Sequence, residues 1–290
     1  MRPVGRPPWD PRWAELDAGD AAAIAFGDYC SACEIPLPLS RIGWHAGTGQ
    51  VMLGRARELD WDDLLVLCRH CAQTASGQAQ PSWGDVLLPD RATTFGIGND
   101  APFGYQPSPV EVTGTDGGEP EVVERVYVVP NSEAAANTVR LFGLNTPVLV
   151  DDRLRLALTA DPEELALSGT ERRKLIEFDD PRLMLRTAAW QHAKDAAEIY
   201  QEMSDDDGRL RWARLLGHAV RSRGFWSVWA AVLSATTVDR GLLAGALAVP
   251  PTAAEAGVGS SRPVFANTAR AFPATRGDWL LPMPDSSEQD

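Results

Sequence analysis

The residues of this chain best suited to chemistry are its cysteines. There are four, and all fall in two C-x-x-C pairs, Cys30/Cys33 and Cys68/Cys71, separated by 34 residues. Thiolates with two residues between them sit on one tight knuckle and aim at one ion, and two knuckles complete a tetrahedron. A thioredoxin-like redox pair accounts for one such pair and not for two. Adjacent disulfides need an oxidising compartment. The spacing therefore points to one structural zinc ion held by Cys30, Cys33, Cys68 and Cys71. A closed four-sulfur site leaves no position open for water, so it stabilises folding and does no chemistry itself.

Other chemically able residues read more plainly. His70 lies inside the second pair and reads as a solvent-facing tip, not as a ligand. His192 and His218 lie in helical segments and read as structural residues. Trp190, Trp212, Trp226 and Trp229 recur at helical spacing, which favours core packing over a base-stacking platform. The acidic runs at Asp151-Asp152, Asp179-Asp180 and Asp205-Asp206-Asp207 each flank a predicted helix or strand. They read as caps and solvated turns rather than as metal carboxylates.

The elements that must position these groups can be outlined. Residues 1–20 are rich in Pro, Trp and charge and predict an extended arm. Residues 21–28 look like the end of a short helix leading into Cys30. Residues 76–120 carry scattered Gly, Pro and Asp and predict loops and short strands. Residues 121–129 (EVVERVYVV) are rich in β-branched residues and stop at Pro130, which predicts a strand. Asn131-Ser132 then provides an N-cap for a helix to about Phe142, with Gly143 as its stop. Asp180-Pro181 opens another helix, with apolar spacing through Leu185, Ala188, Ala189, His192, Ala196, Ile199 and Met203. Leu210 to Val220 predicts a further helix closed by Gly224. Phe225 to Leu233 is apolar all round, the mark of a buried helix. The tail after Pro250 is rich in Pro, Gly and Ser and reads as mobile.

At 290 residues with 44% apolar content, the chain is long enough for a sizeable core. No apolar run approaches the roughly 18 residues of a membrane span. The first ten residues lack the apolar stretch of a secretory signal, so the expected location is the cytoplasm. The formal net charge is −13, and the only lysines are Lys174 and Lys194. Such a balance counts against a free-standing nucleic-acid binder, which needs cations to neutralise phosphates. A local arginine cluster can offset it, the candidates being Arg91, Arg182, Arg186, Arg209, Arg211, Arg214, Arg221 and Arg223. The set at 209–223 is expected to meet an acidic protein partner or a nucleic acid presented by one. Scarce lysine beside abundant Ala, Arg, Asp and Gly points to a GC-rich bacterial coding sequence.

Two stretches around the cysteines, Tyr29-Cys-Ser-Ala-Cys-Glu-Ile-Pro-Leu-Pro38 and Trp61-Asp-Asp-Leu-Leu-Val-Leu-Cys-Arg-His-Cys71, resemble a bacterial branch of the HNH endonucleases. In that branch two zinc knuckles flank a ββα-metal motif. Met1-Arg-Pro-Val4, Leu88 to Phe95, Asn137 to Asn145 and Gly224 to Trp229 extend the likeness. The resemblance implies that His45, twelve residues after Cys33, stands where the general base belongs, and that Asp63 stands where an orienting Asn belongs. It also puts Trp44 in the place of an acidic metal ligand and Ala72 in the place of the final ligand. Neither side chain coordinates a hard cation, and without the metal a phosphodiesterase loses several kcal/mol of transition-state stabilisation. The frame is kept while the nuclease site looks dismantled.

The expected fold is α+β: an arm over 1–20, a zinc-knuckle unit over 21–100, a mixed and then mainly helical region over 101–250 packed against it, and a tail over 251–290. The leading expectation for function is a degenerate HNH-like zinc protein that binds or scaffolds, with a protein partner. The alternatives are an active nuclease using His45 and Asp63, and an HNH-fold enzyme turned to non-nucleolytic chemistry in a biosynthetic or peptide-modifying pathway.

Overall fold

The computed structural model describes residues 1, 6–37, 41–58, 60–77, 85–90, 101–112, 121–145 and 180–247. Arg91, Asp151, Asp152, Asp179 and the tail 251–290 lie outside the described residues. Helices combine with two small antiparallel sheets, so the fold is α+β.

Asp17 opens helix α1 (Ala18–Phe26) by accepting the Gly19 N–H at 2.9 Å. The alanine-rich helix lies against a three-stranded antiparallel sheet made of β1 (Ile42–His45), β2 (Gln50–Met52) and β3 (Leu64–Leu67), in the order β2-β1-β3. In this sheet Trp44 sits opposite Val51 and Leu65, and His45 opposite Gln50 and Leu64. All four residues of β3 are buried, the pattern of a strand covered on both faces. Cys68 ends the strand and caps helix α2 (Arg69–Ser76).

The arm ahead of α1 is more organised than an extended segment. Pro11–Trp13 form one 3-10 turn, and Trp9, Trp13 and Trp61 gather with ring centroids 4.9–5.9 Å apart. Arg6 lies 4.9 Å from the Phe26 ring centroid and pairs with Asp90.

Residues 103–112 form a full strand, β4 (Phe103–Val112), where the sequence predicts loops and short strands. It pairs antiparallel with β5 (Glu121–Pro130) from Phe103↔Pro130 to Val112↔Glu121. Pro107 and Pro109 disguise it, but a two-stranded sheet has only edge strands, where a missing N–H is tolerated. The other edge of β5 is closed by side chains. The Val126 N–H donates to Thr187 Oγ1 at 2.9 Å, and Asn145 exchanges hydrogen bonds of 2.8 Å with both backbone groups of Val128. Helix α3 (Glu133–Leu141) follows as the sequence predicts, with Ser132 Oγ accepting the Ala135 N–H at 3.1 Å and Gly143 at φ +56° as its stop.

Four helices complete the described chain: α4 (Arg182–Glu202), α5 (Asp206–Arg223), α6 (Trp226–Ser234) and α7 (Arg240–Leu247). Asp205 caps α5 by accepting the Gly208 N–H, as its place in the acidic run predicts. The α6 helix is buried, as its sequence predicts, with Trp226 and Trp229 at 0% and 2% exposure. The face of α4 differs from expectation. Arg182, Arg186, Ala189, Ala193, Ala197 and Tyr200 form its buried stripe, while Ile199 from the predicted stripe is 49% exposed. Two arginines lead the hidden face, and a hydropathy pattern assigns arginine to the surface.

The apolar residues form two cores. One runs from Met1 to Leu144 and includes Phe26, Trp44, Leu64 to Leu67 and Phe142. The other is built on Tyr200, Trp212, Phe225, Trp226, Trp229 and Leu243. Ile35 and Tyr105 pack against both. Among the described residues no helix is long and apolar enough to cross a membrane.

Candidate metal centre

Cys30, Cys33, Cys68 and Cys71 are all buried, and their Sγ atoms lie within 4.8 Å of one another. The first pair sits on a turn in which the Glu34 N–H donates to Cys30 O and the Cys30 N–H donates to Ile35 O, both at 2.9 Å. Glu34 closes the turn at φ +67°. The second pair opens α2, where the Cys71 N–H reaches Cys68 Sγ at 3.5 Å. The Ser31 N–H donates to Val66 O at 2.8 Å and so fixes one knuckle beside the strand that delivers the other.

The donor set suits a tetrahedral metal. With Zn–S bonds of about 2.3 Å a tetrahedron has sulfur–sulfur edges of about 3.8 Å, and Cys33 Sγ and Cys68 Sγ are 3.7 Å apart. That separation is far beyond a disulfide bond. Burial first, and then the neighbouring sulfurs, push the Cys33 thiol well up. At Cys30 burial opposes ionisation, but hydrogen bonds from the other three cysteines bring its pKa well below the ordinary thiol value. The cluster is thus a buried group of four sulfurs able to hold one metal ion.

Buried polar side chains surround it, among them two arginines and an aspartate that the sequence places at the surface. The Arg182 guanidinium, 1% exposed, donates to Cys71 Sγ at 3.2 Å and to Phe142 O at 2.9 Å. Its other edge holds the Asp180 carboxylate through Nε at 2.8 Å and Nη2 at 2.7 Å. Burial opposes its charge, but the Cys71 sulfur and Asp180 outweigh this and raise its pKa. Arg186, one turn on, donates to Leu144 O at 2.8 Å, and burial lowers its pKa. Glu34 is 2% exposed; its carboxylate accepts the Ser227 N–H at 2.8 Å and the Ser227 hydroxyl at 2.5 Å. Tyr105 OH lies 2.5 Å from the same Ser227 Oγ, and the Met1 amino group 3.7 Å from Glu34. The available signal for the arginines was their i,i+4 spacing in line with Ala189, Ala193 and Ala197.

His45 and Asp63 come together at the end of the small sheet. His45 Nε2 lies 3.8 Å from Asp63 Oδ2, and His45 Nδ1 accepts the Thr48 N–H at 3.1 Å. With Nδ1 accepting, the proton of the neutral ring sits on Nε2 and faces Asp63. Gly47 makes room for the pair, since a Cβ there would lie 2.5 Å from Asp63 Oδ2. Trp44 is fully buried with its ring edge-on to Phe142 at 5.6 Å, and Ala72 is fully buried as well.

The remaining histidines divide differently from expectation. His70 is 7% exposed, not a solvent-facing tip, because α2 turns it inward. His218 is exposed on α5, and His192 is half-buried on α4. The arginines expected to form a surface cluster are split. Arg182 and Arg186 are buried in the centre just described, whereas Arg211, Arg214 and Arg223 are exposed.

No protein-family model matches the chain, and no curated protein and no solved structure is similar enough to it to count as a match.

Proposed function

We propose that this protein is a degenerate HNH-like zinc protein that acts as a binding or scaffold component and does not cut nucleic acid. The observation that carries this reading is the state of the residues around His45. His45 Nδ1 accepts the Thr48 N–H, and Nε2 lies 3.8 Å from Asp63 Oδ2, so the carboxylate beside the ring stands on its Nε2 side. Trp44 and Ala72, at the two ligand positions of the resemblance, are packed into the first core. A hairpin whose first strand ends in His45 and a helix opening at Cys68 support the likeness to a ββα unit between zinc knuckles. Zinc is the ion proposed for the cysteines, from four thiolates at tetrahedral spacing.

The purified protein is expected to show no cleavage of plasmid or single-stranded DNA above background with magnesium or manganese, and His45→Ala is expected to leave that result unchanged. Cleavage at enzymic rates that His45→Ala abolishes would establish the nuclease reading instead.

The surface that serves binding is the outer face of α5. Residues 208–238 hold five arginines and no carboxylate, in a chain of net charge −13. At 3.6 residues per turn, Arg211, Arg214 and His218 run along the centre of the exposed face, with Leu210 (48% exposed) and Leu215 (69% exposed) flanking it. Arg211, Arg214 and Arg223 form no ion pair with any described residue. Arg209 is held by the Met203 carbonyl and Arg221 by the Gly217 carbonyl. Arginine beside exposed leucine suits an acidic protein segment with apolar residues of its own better than a phosphate track. Duplex DNA is therefore expected to bind only weakly at physiological salt. Fluorescence anisotropy with a labelled duplex checks this: tight binding with a steep salt dependence that flattens in Arg211→Glu/Arg214→Glu would overturn the choice of partner.

A further inference from the structure

The metal centre lies where the two halves of the chain meet, and each knuckle is tied to the far half by its own contacts. The second knuckle is tied through Arg182, whose guanidinium spans Asp180 on one side and Cys71 Sγ and Phe142 O on the other. The first knuckle is tied to the corner between α5 and α6. Tyr29 OH donates to Arg221 O at 2.6 Å, and the Phe225 N–H donates to Glu34 O at 3.1 Å. The Glu34 carboxylate takes the Ser227 N–H at the start of α6, a helix whose own N-cap, Phe225, makes no side-chain cap bond. Glu34 therefore caps a helix that begins 192 residues after it in sequence. Gly224 lets the corner come this close, since at φ +72° a Cβ there would lie 2.4 Å from Glu34 O.

We infer that Arg182 completes the metal centre from the distant helix α4, and that the bound metal is what fastens the helical half to the N-terminal half through both knuckles. The inference rests on the reading of the four cysteines as a metal site. Physically, a divalent ion with four thiolates carries excess negative charge inside the protein. A guanidinium donating to one sulfur, itself oriented by a carboxylate, offsets that charge and holds the sulfur in place. This is the role that carboxylate–histidine pairs play around other metal sites, where removing the outer partner costs about 10–100-fold in metal affinity. The metal in turn holds the turn at Cys30–Cys33 in the shape that presents Glu34 to Ser227. Without it the knuckle loses the constraint that aims both its backbone carbonyl and its carboxylate at the corner. Arg182 is thus a positioning residue for the metal, and the metal a latch between the two cores.

The experiment uses the full-length protein purified under reducing conditions and loaded with zinc. Zinc release to a chromogenic chelator is timed for the wild type, Arg182→Met, Arg182→Lys and Asp180→Asn. Hydrogen exchange is followed across the wild type before and after the zinc is stripped. Release is expected to be at least tenfold faster in Arg182→Met, with partial rescue by Arg182→Lys and an intermediate rate for Asp180→Asn. Stripping zinc from the wild type is expected to deprotect 182–190 and 224–229 together with the two knuckles. Release at the wild-type rate in Arg182→Met overturns the role of Arg182. Deprotection confined to the knuckles overturns the latch, and this arm needs no variant to fold. A wild type that holds no zinc at all fails at the first step, and refutes the metal reading itself.

Discussion

Cys68→Ser is expected to abolish metal binding and unfold the N-terminal core. Cys68 has two duties, as one of the four clustered sulfurs and as the N-cap of α2 through its contact with the Cys71 N–H. The first duty dominates. Binding free energy of a structural zinc is largely folding free energy, about 10–16 kcal/mol in isolated finger peptides. That is as large as the entire stability of a typical domain, about 5–15 kcal/mol. Three buried cysteines that remain without a fourth ligand also keep the cost of burial without its return. The measurement is metal content by mass spectrometry together with urea denaturation followed by tryptophan fluorescence. The wild type should carry about one zinc per chain and Cys68→Ser none, with the cooperative unfolding of the N-terminal core lost. A zinc-free wild type with its fold intact would falsify this account. Cys33→Ser is expected to behave in the same way, because Cys33 and Cys68 face each other at 3.7 Å.

Trp44→Ala is the second large effect, with an expected loss of about 3–5 kcal/mol. Trp44 is 0% exposed and fills the space between the small sheet and Phe142. Truncation leaves a cavity that neither the three-stranded sheet nor α3 can easily close. Trp44→Asp tests the functional reading as well. It installs the acidic residue that the proposed resemblance to a ββα-metal site calls for, yet it places a carboxylate in an apolar core, where an unpaired charge costs several kcal/mol. The expectation is a protein less stable than Trp44→Ala that still does not nick plasmid DNA with magnesium. Urea midpoints for both variants and a nicking assay decide the matter. A stable, magnesium-dependent Trp44→Asp nuclease would mean that the catalytic frame is intact and lacks one ligand only.

Several elements were legible because local chemistry decides them. Ser132 caps α3 and Gly143 stops it, since an N-cap oxygen and a positive-φ glycine act within one turn. The α6 helix is buried because its nine residues, Trp226–Ser234, have no charged side chain. The clustering of the cysteines was expected from the two short spacings together with a reducing compartment, and the four sulfurs do lie together. Strand β4 was missed because its prolines obscure the alternation that marks a strand, and only its partner β5 makes the ten-residue ladder possible. His70 was misjudged because a position between two clustered cysteines says nothing about which way the helix turns it.

What the sequence determined by itself, then, is the set of short-range features: caps, stops, the two knuckles and the all-apolar helix. Each depends on groups within a few residues of one another. Only the tertiary structure decided which charges are inside. Arg182 and Arg186 look like surface residues in any window of sequence. They are buried because Cys71, Phe142 and Leu144 arrive around them from elsewhere in the fold and, with the neighbouring Asp180, supply acceptors. Glu34 is buried for the same reason, with Ser227 as its partner. A buried charge is tolerated only where its partners already wait, and those partners are set by packing, not by spacing along the chain.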